Sequence, residues 1–512
     1  METIIVLDFG GQYCHLISRR IRDAGVFSEV LPNDVSVDEL KKIKGLKGIV
    51  LSGGAASVYD KDSPKCDKEI LNIGIPILGI CYGHQLISFL EKGKVKSGES
   101  GEYGLTEMNL NVTSKSESEL VKGLKQKQMV WMNHRDIVEA LPAGYIVVAS
   151  TKHSPVAIFE NKKNKIFGVQ FHPEVTHTEN GQKLIENFVF NICKAKKEWD
   201  VSNYAEQIKK EIKKELGNKR AIIGLSGGID SSTAAVLISQ VIGDNLVAVY
   251  VDTGLMRYKE TEFIRQAFES FDFKLRIVDA GKQFFKALKG ITEPEEKRKI
   301  IGKTFIDVFE KAAKEENAEF LIQGTIYSDR IESGITKHSA TIKSHHNVGG
   351  LPKDMKLKVY EPLRDLYKDE VRKLAKQLGI PDELVNRHVF PGPGLGVRIL
   401  GEVTPEKADI VRRASHIIEE ELKKQGWYDK VWMAFGVLLP IKSVGVQGDE
   451  RSYKFPLVVR IVESQDAMTA TYVKMPHKVL EIISTRITNE IKEINRVVYD
   501  ITNKPPATME WE

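Results

Sequence analysis

The sequence predicts an α/β protein of several domains, and three observations point there. Short apolar strands that end in a glycine turn and lead into an amphipathic helix recur along most of the chain. The 512 residues exceed the roughly 250–300 that a single core accommodates. After Pro391-Gly392-Pro393-Gly394 the alternation gives way to a smaller αβ pattern that runs to Glu512. The domain boundaries expected are 1–196, 197–390 and 391–512.

The elements follow in order. Ile4-Ile5-Val6-Leu7 is an apolar strand that turns at Asp8-Phe9-Gly10-Gly11 into a helical stretch through Ile17 and Ile21. The unit repeats at Gly48-Ile49-Val50-Leu51 before Ser52-Gly53-Gly54. It repeats again at Ile75-Pro76-Ile77-Leu78-Gly79-Ile80 before Cys81. Residues 166–171 read as a further strand, and a helix over about 181–196 closes the first domain. Residues 194–200 form a charged connector. Ala205, Ile208, Ile212 and Leu216 then make one apolar stripe on a Lys/Glu-rich helix. The second domain opens with the strand Ala221-Ile222-Ile223-Gly224-Leu225 and the turn Ser226-Gly227-Gly228. Residues 246–251 are its second strand, ending in Asp252, and the alternation continues to Val385. There is no internal repeat and no low-complexity segment.

Composition narrows the classes. Hydrophobic residues at 42% and charged residues at 28% are ordinary for a globular protein. A net charge of +5 is too weak to imply nucleic acid. It suits small anionic substrates, and a slightly basic solvated surface explains it as well. The four cysteines, Cys14, Cys66, Cys81 and Cys193, form no CxxC pair and no disulfide framework. That fits a reducing cytosol and makes a catalytic thiol worth seeking. Met1-Glu2-Thr3-Ile4 lacks the features of a signal peptide. No apolar stretch approaches the roughly 20 residues of a membrane span. A cytoplasmic protein with no membrane and no nucleic-acid partner is expected.

Gly79-Ile80-Cys81-Tyr82-Gly83 has the spacing of a nucleophile elbow with cysteine in place of serine. The glycines permit a sharp strand-to-helix turn that lifts the sulfur out of the sheet. The positive end of the following helix favours thiolate. The N–H of Tyr82 points to where an oxyanion would form, and Gly53 offers a second N–H. Phe171-His172-Pro173-Glu174 supplies a base and its orienting carboxylate, placed two apart on a strand end. Two other readings stand beside this one. A buried cysteine is often only a small hydrophobe. His172 and Glu174 also match the H-x-E of zinc deaminases, with His177 as a further ligand, although the P-C-x-x-C which that signature needs is absent.

These two segments resemble the class I glutamine amidotransferases over about residues 1–195, which implies an open, mostly parallel sheet. The resemblance implies glutamine as substrate, with Cys81 attacking the side-chain amide to form a thioester. His172 would shuttle protons, Glu174 would orient it, and Gly53 with Tyr82 would hold the oxyanion. Where that family often has proline after Ser52-Gly53-Gly54, this chain has Ala55, so a less rigid oxyanion loop is expected.

Ser226-Gly227-Gly228-Ile229-Asp230-Ser231-Ser232 follows a strand and opens a helix. Its glycines, serines and helix N-terminus suit a phosphate, and Asp230 is placed to hold Mg²⁺ bridging phosphates. It is not a Walker A loop, because GxxxxGK[ST] is missing. Gly224-Leu225-Ser226-Gly227-Gly228 also fits a serine elbow, and a plain glycine-rich helix cap is a third reading. The segment is similar to the pyrophosphate loop of the N-type ATP pyrophosphatases, which implies a Rossmann-like domain that cleaves ATP between the α and β phosphates. Tyr367-Lys368-Asp369-Glu370-Val371 is similar to that family's second motif, so Lys368 would contact phosphates. Alone it reads as an exposed helix lysine. Asp252 falls near the expected adenosine site, or simply caps a helix.

Three further segments decide among coupled enzymes of this kind. They are residues 323–333 with 342–352, Phe390-Pro391-Gly392-Pro393-Gly394-Leu395, and Lys504-Pro505-Pro506-Ala507-Thr508-Met509-Glu510-Trp511-Glu512. With them the chain resembles the glutamine-hydrolysing GMP synthetases from end to end. That implies XMP as acceptor, Mg²⁺ with ATP, no redox cofactor, and a small α+β C-terminal domain that dimerises and helps build the XMP pocket. Lys504 would neutralise the 5′-phosphate, Met509 and Glu510 would contact the nucleotide, and Gly392, Pro393 and Gly394 would line the base. Asp449 and Arg451 would join from the same domain. Lys504 beside two prolines also reads as a rigid arm. His345-His346 are not expected to bind metal, since adjacent histidines rarely chelate one ion. Arg330 stands where that family has an apolar residue, and Val389 where it has proline. Free ammonia would be protonated in bulk water, so a shielded route or closure on acceptor binding is expected. NAD synthetase, the nearest rival, pairs such a loop with a different amidase. A non-catalytic nucleotide-binding regulator would not need Cys81, His172, Glu174 and the intact loop.

Overall fold

A computed structural model describes residues 1–111, 118–327, 329, 357–464 and 469–512. Arg330, His345, His346 and the 342–352 segment lie outside the described residues. Packing divides the chain into two compact units, one from Met1 to Tyr204 and one from Ala205 onward.

The first unit is built on nine strands: β1 (Thr3–Asp8), β2 (Phe27–Pro32), β3 (Leu46–Leu51), β4 (Ile77–Ile80), β5 (Lys94–Leu110), β6 (Lys127–Ala140), β7 (Ile146–Ser150), β8 (Ile158–Asn161) and β9 (Ile166–Val169). Their order across the sheet is β2-β1-β3-β4-β9-β8-β7-β5-β6. The first five run parallel. The remaining pairings are antiparallel and end in the long β5–β6 hairpin, which the strand–helix alternation did not signal. Ile4 and Val6 of β1 enter one core cluster, and Ile5 and Leu7 enter another on the opposite face. A strand covered on both faces therefore reads as an unbroken apolar run. Two elements are shorter than expected. Strand β9 stops at Val169, so His172 and Glu174 lie in the loop beyond it. The closing helix spans Gly181–Glu186 and continues as a π-helical segment, Asn187–Ile192.

The second unit carries a parallel sheet of β10 (Ala221–Leu225), β11 (Leu246–Asp252), β12 (Lys274–Asp279), β13 (Phe320–Ile322) and β14 (Lys358–Tyr360), in the order β12-β11-β10-β13-β14. The helix Ile229–Ile242 follows β10 directly. Ala205, Ile208, Ile212 and Leu216 are all buried, as their stripe requires. A second, mainly antiparallel sheet comprises β15 (Met433–Leu438), β16 (Ser443–Gln447), β17 (Glu450–Glu463), β18 (Thr471–Tyr472) and β19 (Ile494–Tyr499). It packs with the helices Pro405–Lys424 and His477–Glu490. One apolar cluster runs without a break from Ile222 and Val249 to Leu457, Ile461 and Ile483, so both sheets share a core.

Candidate functional site

At the end of β4 the chain turns on Cys81, which sits at φ 51° and ψ −103° directly before the helix Tyr82–Leu90. A non-glycine residue at positive φ is strained, and here the strain makes the elbow. The flanking glycines are required sterically. A Cβ on Gly79 would lie 2.5 Å from the Gly83 carbonyl oxygen, and one on Gly83 would lie 2.3 Å from that of Leu51. The Cys81 N–H is held by the Val169 carbonyl at 2.8 Å, which ties β4 to β9 beneath the sulfur.

The expected base, His172, arrives from the loop after β9. His172 Nδ1 lies 2.7 Å from Glu174 Oε1, and both side chains are buried. Burial pushes the His172 pKa down, but the Glu174 carboxylate and the neighbouring Cys81 sulfur outweigh it and hold the imidazole well above its ordinary value. Its other ring nitrogen, Nε2, is buried with no hydrogen-bond partner among the described residues. A Cβ on Gly53 would fall 3.2 Å from the His172 ring and 3.7 Å from the Cys81 Cβ, so the oxyanion-loop glycine touches base and nucleophile together. The Gly53 N–H donates to no backbone acceptor among the described residues. Tyr82, at the first position of its helix, presents a second N–H.

Ala55 is exposed, and the loop before it is pinned without a proline. Phe9 N–H donates to Ser52 Oγ at 3.0 Å, and Ser52 Oγ–H donates to the Gly53 carbonyl at 2.9 Å. Gly11 packs so closely on Gly53 that a Cβ would sit 2.4 Å from its oxygen. Ser52 and the glycine contact hold the loop that precedes Ala55. The His177 ring lies tilted against Trp131, with centroids 4.8 Å apart. Near the thiol the structure adds two groups that the sequence did not single out: Gln170 Nε2 at 3.9 Å and the Asn133 carbonyl at 3.8 Å from Sγ.

In the second unit, Gly227 at φ +73° bends the loop after β10. Ser226 keeps an ordinary backbone, unlike Cys81, which argues against a serine elbow. The Ser226 and Ser231 hydroxyls bond each other at 3.1 Å, and Ser232 Oγ–H donates to the Gly228 carbonyl at 2.8 Å. Ile229 and Asp230 begin the helix. Asp230 Oδ2 pairs with Lys368 Nζ, while Oδ1 is buried without a hydrogen-bond partner among the described residues. Lys368 opens the helix Lys368–Gln377, where a cation opposes the helix dipole. Its place there is explained by the loop it faces. Asp252 sits at the end of the neighbouring strand. Its carboxylate accepts from the Gly254 N–H at 2.9 Å and the Thr261 hydroxyl at 2.6 Å, the work of a turn-capping aspartate.

The acceptor residues fall into two groups. Gly394, at φ +62°, packs on the Leu255 carbonyl beyond β11, with Gly392 and Pro393 just before it. The turn Gly394–Arg398 then delivers Arg398, whose guanidinium holds Glu510 through two bonds of 2.9 Å. Met509 packs on the Phe435 cluster, and the Lys504 backbone pairs with Ala470 in both directions. Asp449 and Arg451 lie elsewhere, exposed at the tip of the β16–β17 hairpin. Arg451 stands nine positions along β17 from Arg460, which binds the C-terminal segment. At about 3.3 Å per residue that is roughly 30 Å. One chain does not bring these two residues to the rest, because a hairpin tip and a sheet end are separated by the length of their shared strand.

Sequence reasoning missed the anchors of the C-terminal segment. Arg460, with no exposed surface, donates to Asp500 Oδ2 at 2.6 Å and to the carbonyls of Thr502 (3.1 Å), Thr508 (2.7 Å) and Met509 (3.0 Å). Lys297, equally buried, donates to the Ile399 carbonyl at 2.7 Å and pairs with Glu512. The signal was one arginine inside the apolar run Leu457-Val458-Val459-Arg460-Ile461-Val462, since a fully buried charge must have partners. A third largely buried pair, Glu260 with Arg387 (2.5 and 2.9 Å), lies against Gly227 of the expected phosphate loop.

Sequence comparisons match three family models along the chain. Residues 5–192 match the family model described as glutamine amidotransferase class-I, 200–307 that of NAD synthase, and 420–511 that of the GMP synthase C terminal domain. A glutamine-hydrolysing GMP synthase of Caldanaerobacter subterraneus subsp. tengcongensis is 53% identical, over 100% of this chain and 99% of its own length. Similar enzymes of Campylobacter hominis (51%) and Aquifex aeolicus (50%) are covered to the same extent.

Proposed function

The chain belongs to the glutamine-hydrolysing GMP synthase family, and from that premise we propose that it makes GMP from XMP at two cooperating sites. The observation that carries the reading is the presence in one chain of the Cys81 elbow facing His172–Glu174 and the Ser226–Ser232 loop facing Lys368.

At the glutamine site Cys81 sulfur attacks the side-chain amide carbon. The oxyanion is received by the N–H groups of Gly53 and Tyr82. His172 gives its proton to the departing ammonia, and Glu174 holds the imidazole so that Nε2 faces the reaction. Water then attacks the thioester, His172 takes its proton, and glutamate leaves with the Cys81 sulfur restored. At the nucleotide site the O2 of XMP attacks the α-phosphorus of ATP and pyrophosphate departs. Ammonia adds at C2, and AMP leaves carrying that oxygen. Ser226, Gly227, Gly228, Ile229, Ser231 and Ser232 cradle the phosphates, and Lys368 exchanges Asp230 for phosphate oxygen.

Asp230 fits a magnesium ion brought by ATP, because among the described residues its Oδ1 is buried without a hydrogen-bond partner and its Oδ2 pairs with Lys368. Bound there, the ion would neutralise charge on the phosphates. The Asp252 carboxylate is engaged locally, and we assign it to shaping the adenosine side of the site. Gly392–Gly394, Met509, Glu510 and Lys504 are proposed to hold XMP, with Asp449 and Arg451 reaching the acceptor of a second copy in a homodimer. Functionally the chain is proposed to divide into a glutamine domain of 1–196, an ATP domain of 197–390 and a C-terminal domain of 391–512. Four free, buried cysteines suit a reducing cytoplasm, and no helix among the described residues is long and apolar enough to cross a membrane. NAD synthesis would leave the match over 420–511 without a purpose.

Pyrophosphate release with ATP, Mg²⁺ and either XMP or buffer tests the proposal. Release that requires XMP is expected. Release without XMP, or none with it, contradicts the reading.

A further inference from the structure

Strand β6 is the edge strand of the first unit's sheet, and its outer side is not left open. The loop that carries the proposed base docks on it. His172 N–H donates to the Trp131 carbonyl at 3.0 Å, and Glu179 N–H donates to that of Met129 at 3.0 Å. Between these two bonds stands Thr178, which is buried. Its hydroxyl donates to the His172 carbonyl at 2.6 Å and accepts from the Trp131 N–H at 3.0 Å. One oxygen thus uses both its proton and a lone pair to fasten the His172 backbone to β6. Two residues further along the same strand, the Asn133 carbonyl faces Cys81 Sγ at 3.8 Å. Strand β6 therefore touches nucleophile and base alike, and sets their spacing. The loop is closed from below as well, where Gly181 admits the Pro173 carbonyl so tightly that a Cβ would lie 2.1 Å from its oxygen.

We propose that Thr178 is a positioning residue for the glutamine reaction: its hydroxyl fixes His172 in register with Cys81 by clamping the base loop to β6. This rests on the reading of Cys81 and His172 as a glutaminase pair, and it deepens that reading. Valine has the shape of threonine without the hydroxyl, so Thr178→Val removes both bonds. It leaves the His172 carbonyl and the Trp131 N–H unmatched and frees the loop to shift. Misplacement of a base by about 1 Å costs on the order of 100-fold in rate. Serine restores both bonds.

The full chain is assayed as wild type, Thr178→Val, Thr178→Ser and Cys81→Ala, with glutamine and separately with ammonium as nitrogen source. For Thr178→Val, kcat with glutamine is expected to fall about 10- to 100-fold. KM for glutamine stays within about 3-fold, and the ammonium-driven rate holds. Thr178→Ser is expected to recover most of the glutamine rate. Alkylation of Cys81 by iodoacetamide, scored per folded site, should slow in the valine variant and recover in the serine variant. This second readout decides the matter if valine lowers the folded fraction. An unchanged kcat and alkylation rate in Thr178→Val overturns the proposal, as does a serine variant that fails as badly as valine. If Cys81→Ala still uses glutamine, the glutaminase reading itself fails, which is a distinct outcome.

Discussion

Cys81 and His172 show how single residues are committed to chemistry at the expense of comfort. The Cys81 backbone is held at a positive φ that a side chain disfavours, by the Val169 carbonyl below and two glycines beside it. Burial pushes the His172 pKa down, and Glu174 with the Cys81 sulfur outweighs that desolvation and holds the pKa up. Its folded pKa thus stands above the ordinary 6.5. The stability this pair contributes is fully present below about pH 6.5 and is lost as pH rises through the higher folded value. Glu174→Gln leaves the burial and removes the opposing charge, so His172 must titrate lower. Two consequences are expected. The alkaline limb of the glutaminase pH–rate profile moves toward lower pH, and the melting-temperature gap to wild type is widest on the acid side. An alkaline limb that stays in place would contradict the role given to Glu174. Both residues were legible in the sequence because glycine spacing and a histidine two positions from a glutamate are local patterns. Thr178 was not legible. Nothing in Thr176-His177-Thr178 says which hydroxyl meets the edge of a strand some 47 residues away.

Among the elements, the phosphate loop and the C-terminal segment differ in how much the chain reveals of them. The loop was readable, since its glycines, serines and following helix are contiguous. Its partner Lys368 was ambiguous alone, and the fold sets it on Asp230. Lys368→Met should lower XMP-dependent pyrophosphate release about 100-fold or more, the scale for removing one charge-stabilising group. Hydrolysis of glutamine without nucleotides should persist; its loss would show that Lys368 serves both units. The C-terminal segment is the reverse case. Its residues were readable by resemblance, whereas the arginine that holds it comes from the middle of a strand. Arg460→Met strips the balancing charge from Asp500, which keeps the Trp511 and Thr502 N–H groups, and removes a donor from three carbonyls. Breaking such a buried network costs about 3–5 kcal/mol. Hydrogen exchange over residues 500–512 is expected to quicken by orders of magnitude, with KM for XMP rising. Unchanged exchange would mean that other contacts hold the segment.

For the whole molecule, the alternation of strand and helix pointed to the parallel sheets because parallel strands need crossover helices and carry unbroken apolar runs. The antiparallel half of the first sheet escaped notice, since β5 and β6 mix exposed and buried positions along lengths that no local turn motif announces. Across Pro391–Gly394, where the expected domain boundary falls, Leu395 and Ile399 continue the same cluster that holds Ile222. On the proposed reading, what unites the chain chemically is ammonia, made at Cys81 and consumed at the nucleotide site. Glutaminase turnover is therefore expected to accelerate when ATP and XMP are both present, and a rate indifferent to them would contradict coupling. The division of labour is tested most directly by following XMP conversion to GMP by ultraviolet absorbance with the Cys81→Ala protein. The account predicts GMP formation from ammonium at close to the wild-type rate and none from glutamine. Loss of both activities, or retention of the glutamine reaction, would contradict it.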